Sequence, residues 1–146
     1  MNWINATFVT GLLTLWAYTA QANCIEEAAD YQGVSAQLLY TIASLESDLN
    51  PQAINRNAHS VDIGLFQINS RHLDKLAKYG INAVDLLDPC VSAHVGAWIL
   101  ADNISRYGET WEAVGAYNAL TPSKRRVYEQ KIQRRYQKLF GQRAGL

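Results

Sequence analysis

Residues 35–51 run SAQLLYTIASLESDLNP, a segment with the period and punctuation of an amphipathic helix. Leu38, Leu39, Ile42, Ala43 and Leu45 recur along one helical face, Ser35 stands where an N-cap belongs, and Asn50-Pro51 stands where a helix should stop. The same punctuation extends in both directions. Ile25 to Gln32 reads as a short helix stopped at Gly33, Ser70 to Tyr79 as one closed by Gly80, and Asn82 to Leu87 as a short one closed by Asp88-Pro89. Val91 to Tyr107 is a long apolar helix closed by Gly108, and Trp111 to Asn118 is another short one. Thr121-Pro122 opens the last helix, with Thr as N-cap and Pro at the first helical position. Only Gln52 to Asp62 is polar and without helical period, which predicts a loop or a small β-hairpin. The fold class expected is therefore mainly α, a compact helical domain with one irregular loop or hairpin.

The chain has 146 residues, of which 49% are hydrophobic and 18% charged, enough to close one core and to argue against disorder. Its 13 basic and 13 acidic side chains cancel, which removes the simplest case for a nucleic-acid partner. The zero is a sum of unequal parts. Residues 1–22 carry no charged side chain, Asn23 to Leu120 hold 12 acidic against five basic residues (net −7), and from Thr121 onward eight basic residues face Glu129 alone (net +7). In the terminal helix Tyr128, Ile132, Tyr136 and Leu139 form an apolar stripe, and Lys124, Lys131, Arg135 and Lys138 a cationic one. The second stripe reads either as a solvated face or as a patch that attracts a polyanion.

The uncharged front end carries an apolar run from about Phe8 to Ala17, then Ala20-Gln21-Ala22, whose small residues at alternate positions fit a signal-peptidase site. Cleavage is expected after Ala22, leaving one domain over 23–146. A membrane anchor would need ~20 continuous apolar residues. This run is half that and is broken by Thr10, Gly11 and Thr14, so no integral membrane span is expected. Export leads to an oxidising compartment, where Cys24 and Cys90 can form one bridge. Closing that 66-residue loop would stabilise by about 4 kcal/mol in the chain-entropy account.

The chemistry narrows by elimination. There is no Gly-rich phosphate loop, nucleophile elbow or H-E-x-x-H helix, and His59, His72 and His94 lack metal-like partners at helical spacing, so no metal or cofactor is expected. Carboxylates remain. Glu46 lies four residues after Ile42 and three after Ala43, on the flank of the apolar stripe and in the last turn of its helix. Partial desolvation and the negative end of the helix dipole both raise its pKa, as a general acid working near neutrality requires. Asp62 follows the polar loop, directly before a turn. Two carboxyls in unlike environments, one protonated and one ionised, are the pairing that glycoside hydrolysis commonly uses.

Three ordered blocks now carry a resemblance: Glu46-Ser47, then GLFQIN at residues 64–69, then WEAVGAYNA at residues 111–119. Together they resemble the signatures of the soluble lytic transglycosylase family over about residues 23–141, most of all its small stand-alone members that accompany type III secretion, conjugation and type IV pilus machines. The segment from Asn55 to Arg71 is also similar to the substrate hairpin of animal c-type lysozymes. The resemblance implies a lysozyme-like α+β fold and cleavage of the β-1,4 bond between N-acetylmuramic acid and N-acetylglucosamine in peptidoglycan, while export by the cleavable leader gives the expected location as the periplasm. It implies Glu46 as the catalytic acid, Gln67 and Asn69 as cleft-lining residues, and Tyr117 and Asn118 as the floor near the reacting sugar. Asp62 occupies the lysozyme-like position, where it could stabilise oxocarbenium charge or form a covalent intermediate. The family usually follows A-Y-N-A with glycine; a turn of positive φ here would be strained by Leu120.

If the nucleophile is the muramic acid 6-hydroxyl the product is a 1,6-anhydro sugar, and if it is water the enzyme is a hydrolase. A different class of reading is a non-catalytic, disulfide-stapled wall-binding module of a secretion or pilus apparatus. A carboxyl with a raised pKa has no use in pure binding, which favours the enzyme. Membrane disruption by the cationic tail is weaker still, because the tail's apolar stripe is needed for the core. The −7 body would be repelled by the peptide carboxylates of the wall, so the basic tail is expected to help retain the protein there, less so in salt.

Overall fold

The computed structural model describes residues 21–141. The leader expected over residues 1–22 lies outside them, apart from its last two residues, which open the first helix. That helix, α1, covers residues 21–32. In α2 (Ala36–Ser47) the Ser35 hydroxyl accepts from the Leu38 amide at 3.3 Å, as its capping position predicts. The helix stops at Ser47 rather than at Asn50-Pro51. Asp48 and Leu49 swing into the left-handed region, with φ of 49° and 63°, and the Asn50 amide donates back to the Ser47 hydroxyl at 3.1 Å.

The polar segment folds into a three-stranded antiparallel sheet of β1 (Ile54–Arg56), β2 (Val61–Ile63) and β3 (Ile68–Asn69), in that order. Register pairs Asn55 with Asp62 and Asp62 with Asn69, so three polar side chains share one face across the strands. Beyond it, the helix expected over 70–79 is three tight pieces: a 3-10 turn (Ser70–His72), α3 (Leu73–Leu76) and a second 3-10 turn (Ala77–Tyr79). Leu76 is the one buried side chain in this stretch, so little tertiary packing selects a regular α-helix there.

A 3-10 turn at Asp85–Leu87 leads into α4 (Pro89–Tyr107). Asp88-Pro89 starts this helix: the Asp88 carboxylate accepts from the amides of Cys90 (2.8 Å) and Val91 (3.0 Å), and Pro89 fills the position that needs no amide. Next come α5 (Trp111–Gly115) and α6 (Pro122–Phe140); Thr121 stands at the N-cap of α6, but its side chain makes no capping bond. No helix among the described residues is long and apolar enough to cross a membrane. The outcome is the mainly helical, α+β arrangement expected.

Leu39, Ile42, Leu65, Phe66, Leu100, Val114 and Ile132 make the centre of the core. Around it α6 packs against both α2 and α5, and α4 against α5. Tyr128, Ile132 and Tyr136 supply the buried stripe of α6; Leu139 is left exposed, and Phe140 packs against Tyr40 and Tyr136 in its stead. The Cys24–Cys90 disulfide forms, joining α1 to the first turn of α4 across a sequence separation of 66.

The sheet is riveted to this core by its β2–β3 turn. Phe66 is fully buried, and its amide donates to the Ser92 hydroxyl at 3.1 Å. Its ring lies so close to α4 that a Cβ at Gly96 would sit 2.5 Å from it. Gly64 enters the turn at φ +78°, and any side chain there would overlap the Leu86 carbonyl. Both glycines are therefore required for close approach, not for flexibility.

Candidate active site

Glu46 ends the helix that carries the core residues Leu38, Leu39, Ile42 and Ala43, so its backbone is held from one side by the hydrophobic core. The other side is held by its neighbour. The Ser47 hydroxyl donates to the Leu65 carbonyl at 2.7 Å, clamping the end of α2 to the β2–β3 turn. An aromatic brace closes the circuit: Tyr117 donates to the Phe66 carbonyl at 3.1 Å, its ring stacks on Tyr128 at 6.5 Å and 13°, and Tyr128 donates to Glu46 Oε1 at 2.5 Å. Four segments thus converge on one carboxyl.

Burial pushes the Glu46 pKa up to about 7; the Tyr128 hydrogen bond opposes this, the Asp62 charge reinforces it, and Lys131 opposes it. Half of the carboxyl groups are then protonated near neutrality, the condition a general acid needs. Both phenols of the brace are pushed well above the ordinary tyrosine range, first by burial and then by the Glu46 charge, so Tyr128 remains a donor.

Asp62 is placed differently. It sits in the middle strand, where Asn69 Nδ2 donates to one carboxylate oxygen and Asn57 Nδ2 to the other, each at 2.7 Å. Two neutral amides solvate the ionised form without a counter-charge. Asn69 also donates to the Ser60 hydroxyl at 3.0 Å and accepts from the Arg71 amide at 3.1 Å, so its side chain is fully committed to positioning. Gln67 is committed too. Held at φ 48°, it donates to the carbonyls of Ala53 (3.1 Å) and Gly64 (2.8 Å) and accepts from Asn55 at 2.7 Å, which braces the hairpin.

Glu46, Asp62, Gln67, Asn69, Tyr117 and Asn118 all line one cleft of about 230 Å³. The six residues singled out from sequence are therefore brought together. Asn57, Arg71 and His72 join them from the hairpin and the turn after it. Burial, then the neighbouring Arg71 and Lys75 charges, push the His72 pKa down. Sequence reasoning left His72 as structural or surface, and it placed Tyr128 only in an apolar stripe. No group of three or more His, Cys, Asp or Glu side chains among the described residues could hold a metal ion. The pair of unlike carboxyls, with a protonated one backed by a phenol, can deliver a proton to one atom and stabilise positive charge on another.

The loop carrying Tyr117 and Asn118 is held from α6. Arg125 is buried; its Nε donates to the Ala119 carbonyl (3.1 Å), Nη1 to Glu112 (2.9 Å) and Nη2 to the Tyr107 hydroxyl (2.8 Å), while its guanidinium lies 4.5 Å over the Tyr107 ring. One of the eight cations of the tail is thus a structural pin. Leu120 follows without strain: its φ is not positive, and its side chain is 73% exposed.

The chain is similar to known proteins along most of its length. The chain is 46% identical over 143 residues to the invasion protein IagB of Salmonella typhimurium, covering 94% of this chain and 89% of that protein. It is 38% identical over 135 residues to protein IpgF of Shigella flexneri, covering 88% and 89% respectively. A peptidoglycan-binding-like protein of Escherichia coli O157:H7 is 38% identical over 117 residues, covering 74% of this chain and 70% of its own length. The family model described as the transglycosylase SLT domain matches residues 23–140, which takes in the catalytic-acid candidate, the hairpin and the helix that braces it, and the chain accordingly belongs to the transglycosylase SLT domain family.

Proposed function

We infer that this protein is a lytic transglycosylase that cuts the β-1,4 bond between N-acetylmuramic acid and N-acetylglucosamine in peptidoglycan. The observation that carries the reading is Glu46, partly buried, pushed up to about pKa 7 and hydrogen-bonded by Tyr128 at the wall of a cleft that also holds Asp62. Protonated Glu46 donates to the glycosidic oxygen, and as carboxylate it then takes a proton from the nucleophile. Asp62 stabilises the oxocarbenium charge. Its two oxygens are already occupied by Asn57 and Asn69, which suits an electrostatic role better than attack on the sugar.

Export through the 1–22 leader would place the mature domain in the periplasm, where the disulfide persists and the substrate lies. Relatives named for invasion support local opening of the wall for a secretion apparatus, the type III kind among the machines that the motif blocks suggest. The test is a digest of purified sacculi read by mass spectrometry. The wild type should release soluble fragments and Glu46→Gln should release none; fragments from Glu46→Gln would overturn the assignment. The same digest names the nucleophile. Anhydro ends mean the muramic acid 6-hydroxyl and reducing ends mean water, whereas binding to sacculi with no release would return the wall-binding module.

A further inference from the structure

Beside the catalytic cleft lies a second depression of about 310 Å³ on α6, lined by Asn118, Ser123, Lys124, Val127, Tyr128 and Lys131. It is continuous with the cleft: Asn118 lines both, and Tyr128 is the residue that holds Glu46. Two cations of the basic tail line it. Among the cations of α6, Arg125 is spent on Glu112 and Arg135 on Asp48, but Lys124 and Lys131 make no ion pair among the described residues. Between these two lysines in the helix comes Val127, 54% exposed, which lines the same depression as Tyr128. The depression therefore offers two cations and an apolar floor in a protein whose body carries a net charge of −7.

We propose that this depression is a subsite for the acidic peptide carried by the muramic acid residue, with Lys124 and Lys131 taking its carboxylates and Val127 its aliphatic side chains. It rests on peptidoglycan cleavage in the neighbouring cleft. A glycan strand seated there must send its peptide out on one side, and this adjoining wall sets two unpaired cations beside an exposed apolar side chain. Lys131 also belongs to the electrostatic surroundings of Glu46, so peptide occupancy and the state of the acid are linked through one side chain.

The experiment crosses a protein change with a substrate change. Soluble uncross-linked glycan–peptide strands are compared with the same strands after their carboxylates have been amidated, using wild type, Lys124→Gln/Lys131→Gln, and Lys78→Gln/Arg126→Gln as an equal loss of exposed charge elsewhere. Each exposed pair contributes modestly, so amidation should raise the wild-type KM about fivefold, with kcat little changed. Lys124→Gln/Lys131→Gln should show the raised KM on native strands and respond no further to amidation, while Lys78→Gln/Arg126→Gln should behave as wild type. A Lys124→Gln/Lys131→Gln protein that still responds fully to amidation, or a Lys78→Gln/Arg126→Gln protein that loses as much, overturns the subsite. Failure of the wild type to cut either substrate would instead overturn the parent reading.

Discussion

Replacing Tyr128 with Phe removes one oxygen from the structure and leaves the ring stacked on Tyr117. The deleted hydroxyl is the group that donates to Glu46 at 2.5 Å, and it is the strongest influence holding that pKa down against burial. A hydrogen bond to a charged group is worth about 1.5–3 kcal/mol, and one pKa unit corresponds to about 1.4 kcal/mol. Burial and the Asp62 charge are untouched by the substitution, so the Glu46 pKa should climb from about 7 by roughly one to two units. On the proposed mechanism the acid form does the work, so activity should fall as pH rises through this pKa. The variant should therefore remain active at alkaline pH where the wild type has stopped. The alkaline limb of kcat/KM against pH reads the free enzyme directly, whatever happens to the height of the plateau. Tyr128 does not confuse the profile, since burial keeps its own ionisation far higher. A limb that stays in place would refute a donor role for the phenol. A limb that moves down would mean that the phenol oxygen accepts the carboxyl proton instead.

Two further outcomes follow from the same geometry. Glu46 goes from 4.5 unfolded to about 7 folded, so folding is favoured by its protonation: that contribution is complete below pH 4.5 and is lost as pH rises through 7. Glu46→Gln should accordingly raise the melting temperature at about pH 8 by roughly 10 °C, corresponding to at most about 3 kcal/mol, and leave it unchanged at about pH 4, as thermal unfolding at the two pH values would show. Arg125→Ala leaves the Ala119 carbonyl and the Tyr107 hydroxyl without their donor, and should cost about 2–4 kcal/mol in urea unfolding. Arg125→Lys should recover little of this, since an ammonium cannot reach three acceptors as a planar fork does.

Most helix boundaries were legible because their causes are local. A Ser hydroxyl at Ser35, an aspartate before Pro89 and a glycine after Tyr107 act within a turn of the chain, so a linear reading finds them. The boundaries that moved had non-local causes. The end of α2 lies at Ser47, where the chain turns left-handed at Asp48 and the Ser47 hydroxyl is tied to Leu65, 18 residues away. The 70–79 segment broke into short turns because Leu76 is its one buried side chain, with Leu73 only partly buried against the core. Gln52 to Asp62 was open between loop and hairpin, since three-residue strands carry too few residues to show alternation and the third strand lies beyond it.

The helical class, the cysteine pair and the two carboxyls of unlike setting are written in the chain, because each depends on residue type and short-range spacing. How those carboxyls are governed is set by packing. Tyr128 reaches Glu46 across 82 residues, Asn57 and Asn69 grip Asp62 from either side of a sheet, and Arg125 diverts one tail cation into a buried pin. An apolar stripe says which face of a helix is buried but not which hydroxyl on that face meets a distant acid. A net charge of +7 likewise says nothing of which cations are already paired. Partnership between side chains far apart in the chain is set by packing, and packing is a property of the whole fold.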